Sequence, residues 1–226
     1  MTYDLDWSSV PGALPFLWTG MKVTLRITAT AIAAGIALGT ALAVMRLSRR
    51  RPLAWLSAAY VNAFRSIPLV MVLLWFFLVV PALLERLFAI PRHADTRLTS
   101  AIVAFALFQA AYYAEIIRAG IQAVPSGQLA AALALGMTRG KAMRLVVLPQ
   151  AFRKMTPLLL TQSVILFQDT SLVYVSALAD FFGAAYKVGD RDGRLVELLL
   201  LAGAVYLAVS WVASRLVRRW QERLAT

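Results

Sequence analysis

The sequence predicts an all-α polytopic membrane protein, a single transmembrane domain over residues 1–226 with five membrane-spanning helices and one helical loop on the cytoplasmic side. Three observations lead there. Hydrophobic residues make up 61% of the 226 and mean hydropathy is +0.72, where a soluble domain is about half apolar. The apolar residues fall into long uncharged runs. Lys and Arg are concentrated in alternate connecting segments, as the positive-inside rule requires.

The spans read in order as about 20–46, 53–84, 98–118, 157–182 and 195–216. The first holds an uncharged core, ITATAIAAGIALGTALAVM at 27–45, close to the ~20 residues a helix needs to cross the hydrocarbon layer. Ala31, Gly35, Gly39 and Ala43 recur there at every fourth position, giving a face narrow enough for another helix backbone to approach. The second follows a basic turn with Arg46, Arg49, Arg50 and Arg51; its apolar run from Leu53 to Leu84 is broken only by Asn62 and Arg65 and exceeds one bilayer thickness. A mixed-charge loop from Glu85 to Arg97, with Pro91 and Arg92, leads to the third, which carries Gln109, Tyr112, Tyr113 and Glu115. The fourth contains Gln162, Gln168, Asp169, Thr170 and Ser171, and the fifth ends in a basic tail.

Five spans put the termini on opposite sides. Fourteen Lys and Arg lie in the turn after span one, from Arg118 to Lys154, and in the tail, against eight in the other three segments, where most of the acids also lie. The excess places the N-terminus outside and the C-terminus in the cytoplasm. The residues after Glu115 are then cytoplasmic. The N-terminus carries Asp4 and Asp6 where a cleavable signal would be basic, so no signal peptide is expected.

Composition excludes several chemistries. There is no cysteine and one histidine, which removes disulfides, thiolate sites, metal clusters and His-based triads. No catalytic residue, metal site or bound cofactor is expected. A net charge of +12 would suggest nucleic acid in a soluble protein; distributed by membrane side as here, its partner is membrane lipid.

The segment from Glu115 to Pro149 breaks the apolar pattern. Ser126 is placed to cap a helix over Gln128–Leu135 that stops at Gly136, and Thr138 to cap a second that Pro149 ends. Its spacing, Ala130-Ala131-Ala132, three residues, Gly136, nine residues, then Val146, Leu148 and Pro149, resembles the cytoplasmic EAA loop of ABC importer permeases. In that family the loop forms coupling helices that seat in a groove of the ATPase subunit. Ala130 stands where the family usually has the acid, so docking must rest on shape and apolar contact.

Two charges fall inside apolar spans. Arg65 lies 14 residues beyond Arg51 and Asp169 lies 15 beyond Lys154, which puts both ~20 Å in from the cytoplasmic face. Charges at that depth face a partner or a watery cavity. Arg65, Gln168, Asp169, Thr170 and Ser171 are therefore candidates for a translocation path, with a structural Arg65–Asp169 ion pair as the alternative. Glu115 and Arg118, three apart, form a local pair on one helix face.

FRSIPLVMVLLWFF at 64–77, AAYYAEIIRAGI at 110–121 and LFQDTSLVYVSALADFF at 166–182 resemble the polar amino acid permeases of ABC importers, across nearly the whole chain. Within them the N-terminal DWSS, MRLS at 45–48 and the FRSIPL stretch are most similar to glutamate/aspartate importer permeases. The resemblance implies a five-helix inner-membrane subunit paired with a second permease, homologous or identical. It also implies ABC ATPase subunits on the loop, a periplasmic substrate-binding protein and a polar amino acid as substrate. ATP and Mg would be bound by the ATPase partner, since this chain has no P-loop. A membrane enzyme would need clustered reactive side chains near one interface, and none is visible. An ATP-independent channel or carrier would need no coupling loop. Import of another amino acid is the remaining alternative.

Overall fold

The computed structural model describes residues 4–88 and 95–225; Pro91, Arg92 and Thr226 lie outside the described residues. Among those residues the regular elements are helical: α1 Ser9–Arg46, α2 Arg51–Ser66, α3 Leu69–Phe88, α4 Arg97–Gln122, α5 Ser126–Ala134, α6 Arg139–Ala142, α7 Leu148–Asp169, α8 Phe181–Asp192 and α9 Leu195–Ala225. A π-helical turn, Met143–Val147, joins α6 to α7, and a 3₁₀ segment, Thr170–Ser176, extends α7. Five runs are long and apolar enough to cross a membrane: Ser9–Arg46, Leu69–Phe88, Arg97–Gln122, Arg139–Ser176 and Leu195–Glu222.

Two differences from the sequence reading have local causes. The apolar run from Leu53 to Leu84 is divided between α2 and α3. Pro68 disfavours the helical region for the residue before it, and Ile67 is extended at φ −107°, ψ 134°. Arg65 thus lies one residue before the end of α2. Conversely, Pro149 does not end the second loop helix, which continues from Arg139 to Ser176. Its ring would press on the carbonyl of the residue four before it and it has no N–H to donate; the wider π turn immediately ahead accommodates both defects.

The chain forms two units. The first comprises Met1–Ile32, Pro68–Ala106 and Val164–Ala213. Its core sets Ala13, Leu17 and Met21 of α1 with Phe167 of α7, Phe181, Ala184, Ala185 and Val188 of α8, and Leu198 and Ala202 of α9. Buried in this unit, the Asp180 carboxylate caps α8, accepting from the backbone N–H of Gly183 at 2.8 Å and Phe182 at 3.3 Å. It also accepts from the hydroxyls of Thr24 and Tyr206, each at 3.4 Å, while Thr24 Oγ1 accepts from Phe181 N–H at 3.0 Å. A carboxylate shut away from water needs such donors. The N-terminal strand of coil is pinned to α9: Asp6 N–H donates to buried Glu197 at 2.9 Å, and Arg194 pairs with Asp6 at 3.0 Å. Asp95 precedes α4 and is held down to about 2 by hydrogen bonds from Arg97, whose Nη1 also donates to Ala177 O at 3.0 Å.

The second unit comprises Ala33–Ile67, Leu107–Ser163 and Ser214–Thr226. Here the small-residue face of α1 meets α4. A Cβ added to Gly35 would stand 3.0 Å from the Tyr113 ring, and one on Gly39 3.0 Å from Ala110 O. Ala43 packs with Ile117 and Met155. Helix α2 is tied in by polar bonds to backbone carbonyls, Ser57 Oγ to Leu42 O at 2.7 Å and Tyr60 OH to Leu107 O at 2.8 Å.

Candidate coupling loop and substrate path

The loop lies in the second unit and is built from α5, the bend at Gly136, α6 and the π turn. Ser126 is the first residue of α5, not its cap; the N-cap is Pro125, without a side-chain bond. The other end closes as a Schellman motif: Gly136 N–H donates to Leu133 O at 3.0 Å and Met137 N–H to Ala132 O at 3.1 Å, with Gly136 at φ +81°. Thr138 caps α6, accepting from Lys141 N–H at 3.4 Å, as the sequence led us to expect.

A small apolar core of Val124, Val147 and Ala151, with Ile121, Leu129 and Met143 against it, holds the loop to its flanking helices. Gln150 Nε2 donates to Gln128 Oε1 at 3.1 Å and Lys154 Nζ to Ala123 O at 2.6 Å. Of the motif residues, Ala132 is buried, Val146 and Leu148 are half-buried, and Ala130, Ala131, Gly136 and Pro149 are exposed. Beside them Leu135 is 82% exposed, and Arg139, Lys141 and Arg144 are exposed too. No Asp or Glu occurs between Glu115 and Asp169. The outer face is therefore apolar and cationic.

Of the path candidates, Arg65 stands in the second unit and the other four in the first. Arg65 is exposed and its guanidinium sits over the Tyr112 ring at 5.6 Å, a cation–π distance. Among the described residues of its own unit, no carboxylate lies at ion-pair distance from it. Asp169, the last residue of α7, is half-buried, Gln168 is exposed and Ser171 is half-buried in the 3₁₀ segment. Thr170 is buried and donates to Phe167 O at 2.7 Å. Its hydroxyl is thereby engaged by its own helix.

Sequence reasoning passed over two polar groupings. Thr24, Asp180 and Tyr206 come from three distant segments with no common spacing, and only folding brings them together. In the second unit, Gln162 Nε2 donates to Gln109 Oε1 at 3.0 Å and the Tyr113 and Ser163 hydroxyls share a bond of 2.9 Å. Gln109 is completely buried, and its Nε2 has no partner. The available signal was two glutamines inside apolar spans. Glu115 and Arg118 do pair, as their spacing implies: Arg118 Nε donates to Glu115 Oε2 at 3.1 Å, and Nη2 engages Oε1.

Comparison with known proteins bears on all of this. Residues 35–226 match the family described as "Binding-protein-dependent transport system inner membrane component". The chain is 58% identical over 223 residues to the "Glutamate/aspartate import permease protein GltK" of Escherichia coli O157:H7, covering 99% of this chain and 100% of that one. It is 36% identical over 203 residues to the "Arginine transport system permease protein ArtQ" of Bacillus subtilis (strain 168), 90% of each chain. Among solved structures, one described as "Crystal structure of an amino acid ABC transporter with histidines" aligns with a TM-score of 0.84 at 30% identity, over 98% of this chain and 100% of that one. A chain of the MetNI methionine ABC transporter shares the fold with a TM-score of 0.67 at 20% identity, over 96% and 99%. The five apolar helical runs and these matches make the chain a multi-pass inner membrane protein that belongs to the binding-protein-dependent transport system inner membrane component family.

Proposed function

We propose that this chain is a permease subunit of an ATP-driven importer that carries acidic amino acids, glutamate and aspartate. The observation that carries the reading is end-to-end identity of 58% to a glutamate/aspartate import permease, supported by a basic residue, Arg65, whose guanidinium lies over Tyr112 and has no ion pair among the described residues of its unit. The partners are ABC ATPase subunits, which bind ATP and Mg, a second permease that is homologous or a copy of this one, and a periplasmic binding protein. The N-terminus is periplasmic and the C-terminus cytoplasmic, in line with the basic excess.

Coupling residues are Ala130, Ala131, Ala132, Gly136, Val146, Leu148 and Pro149. The exposed ones offer a knob of small and apolar surface to the ATPase, and Ala132 fixes that knob to the body of the unit. Arg65, Gln168, Asp169, Thr170 and Ser171 line the path. The chain purified from its membrane with its associated subunits, reconstituted in vesicles with binding protein, should take up labelled aspartate or glutamate only when ATP is enclosed on the ATPase side. Uptake that persists without ATP would establish a channel or carrier instead.

A further inference from the structure

Two short helix faces meet in the first unit and leave a cavity of about 240 Å³ between them. Gly12, Ala13 and Phe16, in the first turns of α1, form one wall, and Lys187, Val188 and Arg191, in the last turns of α8, form the other. Gly12 and Phe16, like Lys187 and Arg191, are four residues apart and share a face. The floor is apolar, since Ala13 and Val188 belong to the buried core of the unit; the rim is cationic, since Lys187 and Arg191 are exposed. A Cβ on Gly12 would meet nothing within 4 Å, so that wall faces open space.

The rim cations are only partly engaged. Lys187 Nζ gives one of its three N–H groups to Ala177 O at 3.3 Å. Arg191 bonds Asp192 through Nε at 2.6 Å and Nη2 at 3.0 Å, which leaves Nη1. Two cations against one carboxylate make the rim net positive; Asp190, exposed on the same helix, does not line it. The cavity also lies at a membrane surface. Arg194 and Arg215 bracket the apolar run of α9, about 20 residues and so about the thickness of the hydrocarbon layer. Arg191 is three residues before Arg194, and Ala13 and Val188 pack with Leu198 near the start of that run. Phe16 and Tyr186 are exposed beside the cations, as aromatic side chains are at the interface.

We propose that this groove between α1 and α8 binds one anionic phospholipid. The headgroup phosphate takes Lys187 Nζ and Arg191 Nη1, and the start of an acyl chain lies along Gly12, Ala13 and Phe16. Basic pockets at the membrane surface select anionic headgroups, and an apolar floor beneath the cations suits a lipid better than a soluble anion, which would leave that floor in water. A zwitterionic lipid brings an ammonium that the same rim repels. Lipid binding here does not depend on which amino acid the chain carries.

The test is native mass spectrometry of the purified complex titrated with phosphatidylglycerol, against phosphatidylcholine of the same acyl chains. One phosphatidylglycerol per copy of this chain should be retained in preference. Replacing both cations, Lys187→Gln with Arg191→Gln, should lower the affinity ratio of the two lipids about tenfold, the share of one charge-assisted hydrogen bond. Gly12→Leu, which fills the cavity with every charge in place, should lower it as well, and Asp192→Asn, which releases two guanidinium donors, should raise it. Lys22→Gln, at an exposed cation over Trp18, is the control and should leave it unchanged. Thermal unfolding shows which variants are folded. A folded Gly12→Leu complex with the original ratio would reduce the preference to diffuse attraction by surface charge and overturn the site. Release of the lipid by millimolar inorganic phosphate would overturn it too, assigning the groove to a soluble anion, as would equal retention of the two lipids by the unaltered complex.

Discussion

Gly39 of α1 lies against Tyr113 of α4 so closely that a Cβ on the glycine would stand 2.9 Å from the tyrosine Cβ. Ala110 O and Ala114 N are each 3.0 Å from the same point, so the obstruction is backbone and cannot swing aside. The two helices approach at a distance only glycine allows.

The first prediction follows directly. Gly39→Val should lower the stability of the purified protein by about 1–3 kcal/mol, the usual cost of overpacking, and reduce its level in the membrane. Gly203→Ala in α9, where an added Cβ meets nothing within 4 Å, is the control and should not destabilise. Thermal unfolding in detergent compares them; equal midpoints would mean that the close approach contributes nothing.

A second prediction concerns Gly136. At φ +81° a β-branched residue is strained by roughly 1–2 kcal/mol, enough to reshape a short exposed bend but not a membrane helix. Gly136→Val should therefore insert normally and yet separate ATP hydrolysis from uptake in the reconstituted complex. Substrate-stimulated ATPase activity at the original level, with uptake to match, would remove the loop's shape from the mechanism.

Asp180 gives a third. Replacing it with Ala removes the cap of α8, about 1 kcal/mol, and strands the buried donors of Gly183 and Thr24, about 1–3 kcal/mol for each group left unmatched. Thr24→Val removes one hydroxyl and should cost less. The double variant should fall short of the sum, because both changes break one network; strictly additive losses in thermal stability would show that the network is not a unit.

The fourth tests whether Arg65 and Asp169 act jointly in transport. Arg65→Met and Asp169→Leu should each reduce labelled aspartate uptake at an unchanged membrane level, and the double replacement should not restore uptake. Near-normal uptake by the double variant would assign both residues to packing.

A fifth fixes orientation. A reporter active only in the cytoplasm should work when fused at the C-terminus and fail when inserted near Asp190; the reverse pattern would invert the topology.

The helical class and the bend at Gly136 were legible from local chemistry. Apolar runs of span length have no alternative to helix in lipid, where each backbone group must be satisfied within its own segment, and Gly136 and Thr138 act through neighbours a few residues away. Hydropathy alone misled where a neighbouring proline or a change of helix type decided the outcome: Pro68 divided one long apolar run into two helices, and a π turn carried the chain through Pro149. The small-residue face of α1 could be read as a face, but not that Tyr113 fills it.

By itself, then, the sequence determined what the periods of 3.6 residues, the glycine and proline rules and the placement of charge can determine: helices, their breaks, and a basic excess that orients them. Only the tertiary structure decided that Thr24 and Tyr206 share the buried carboxylate of Asp180, that Gln109 is paired with Gln162 on one side only, and that the Arg65 guanidinium lies over Tyr112. Those groupings join residues from separate helices, up to 182 positions apart between Thr24 and Tyr206. The physical reason is that a polar group withdrawn from water is satisfied by whichever donor packing brings near it, and packing depends on the whole chain at once.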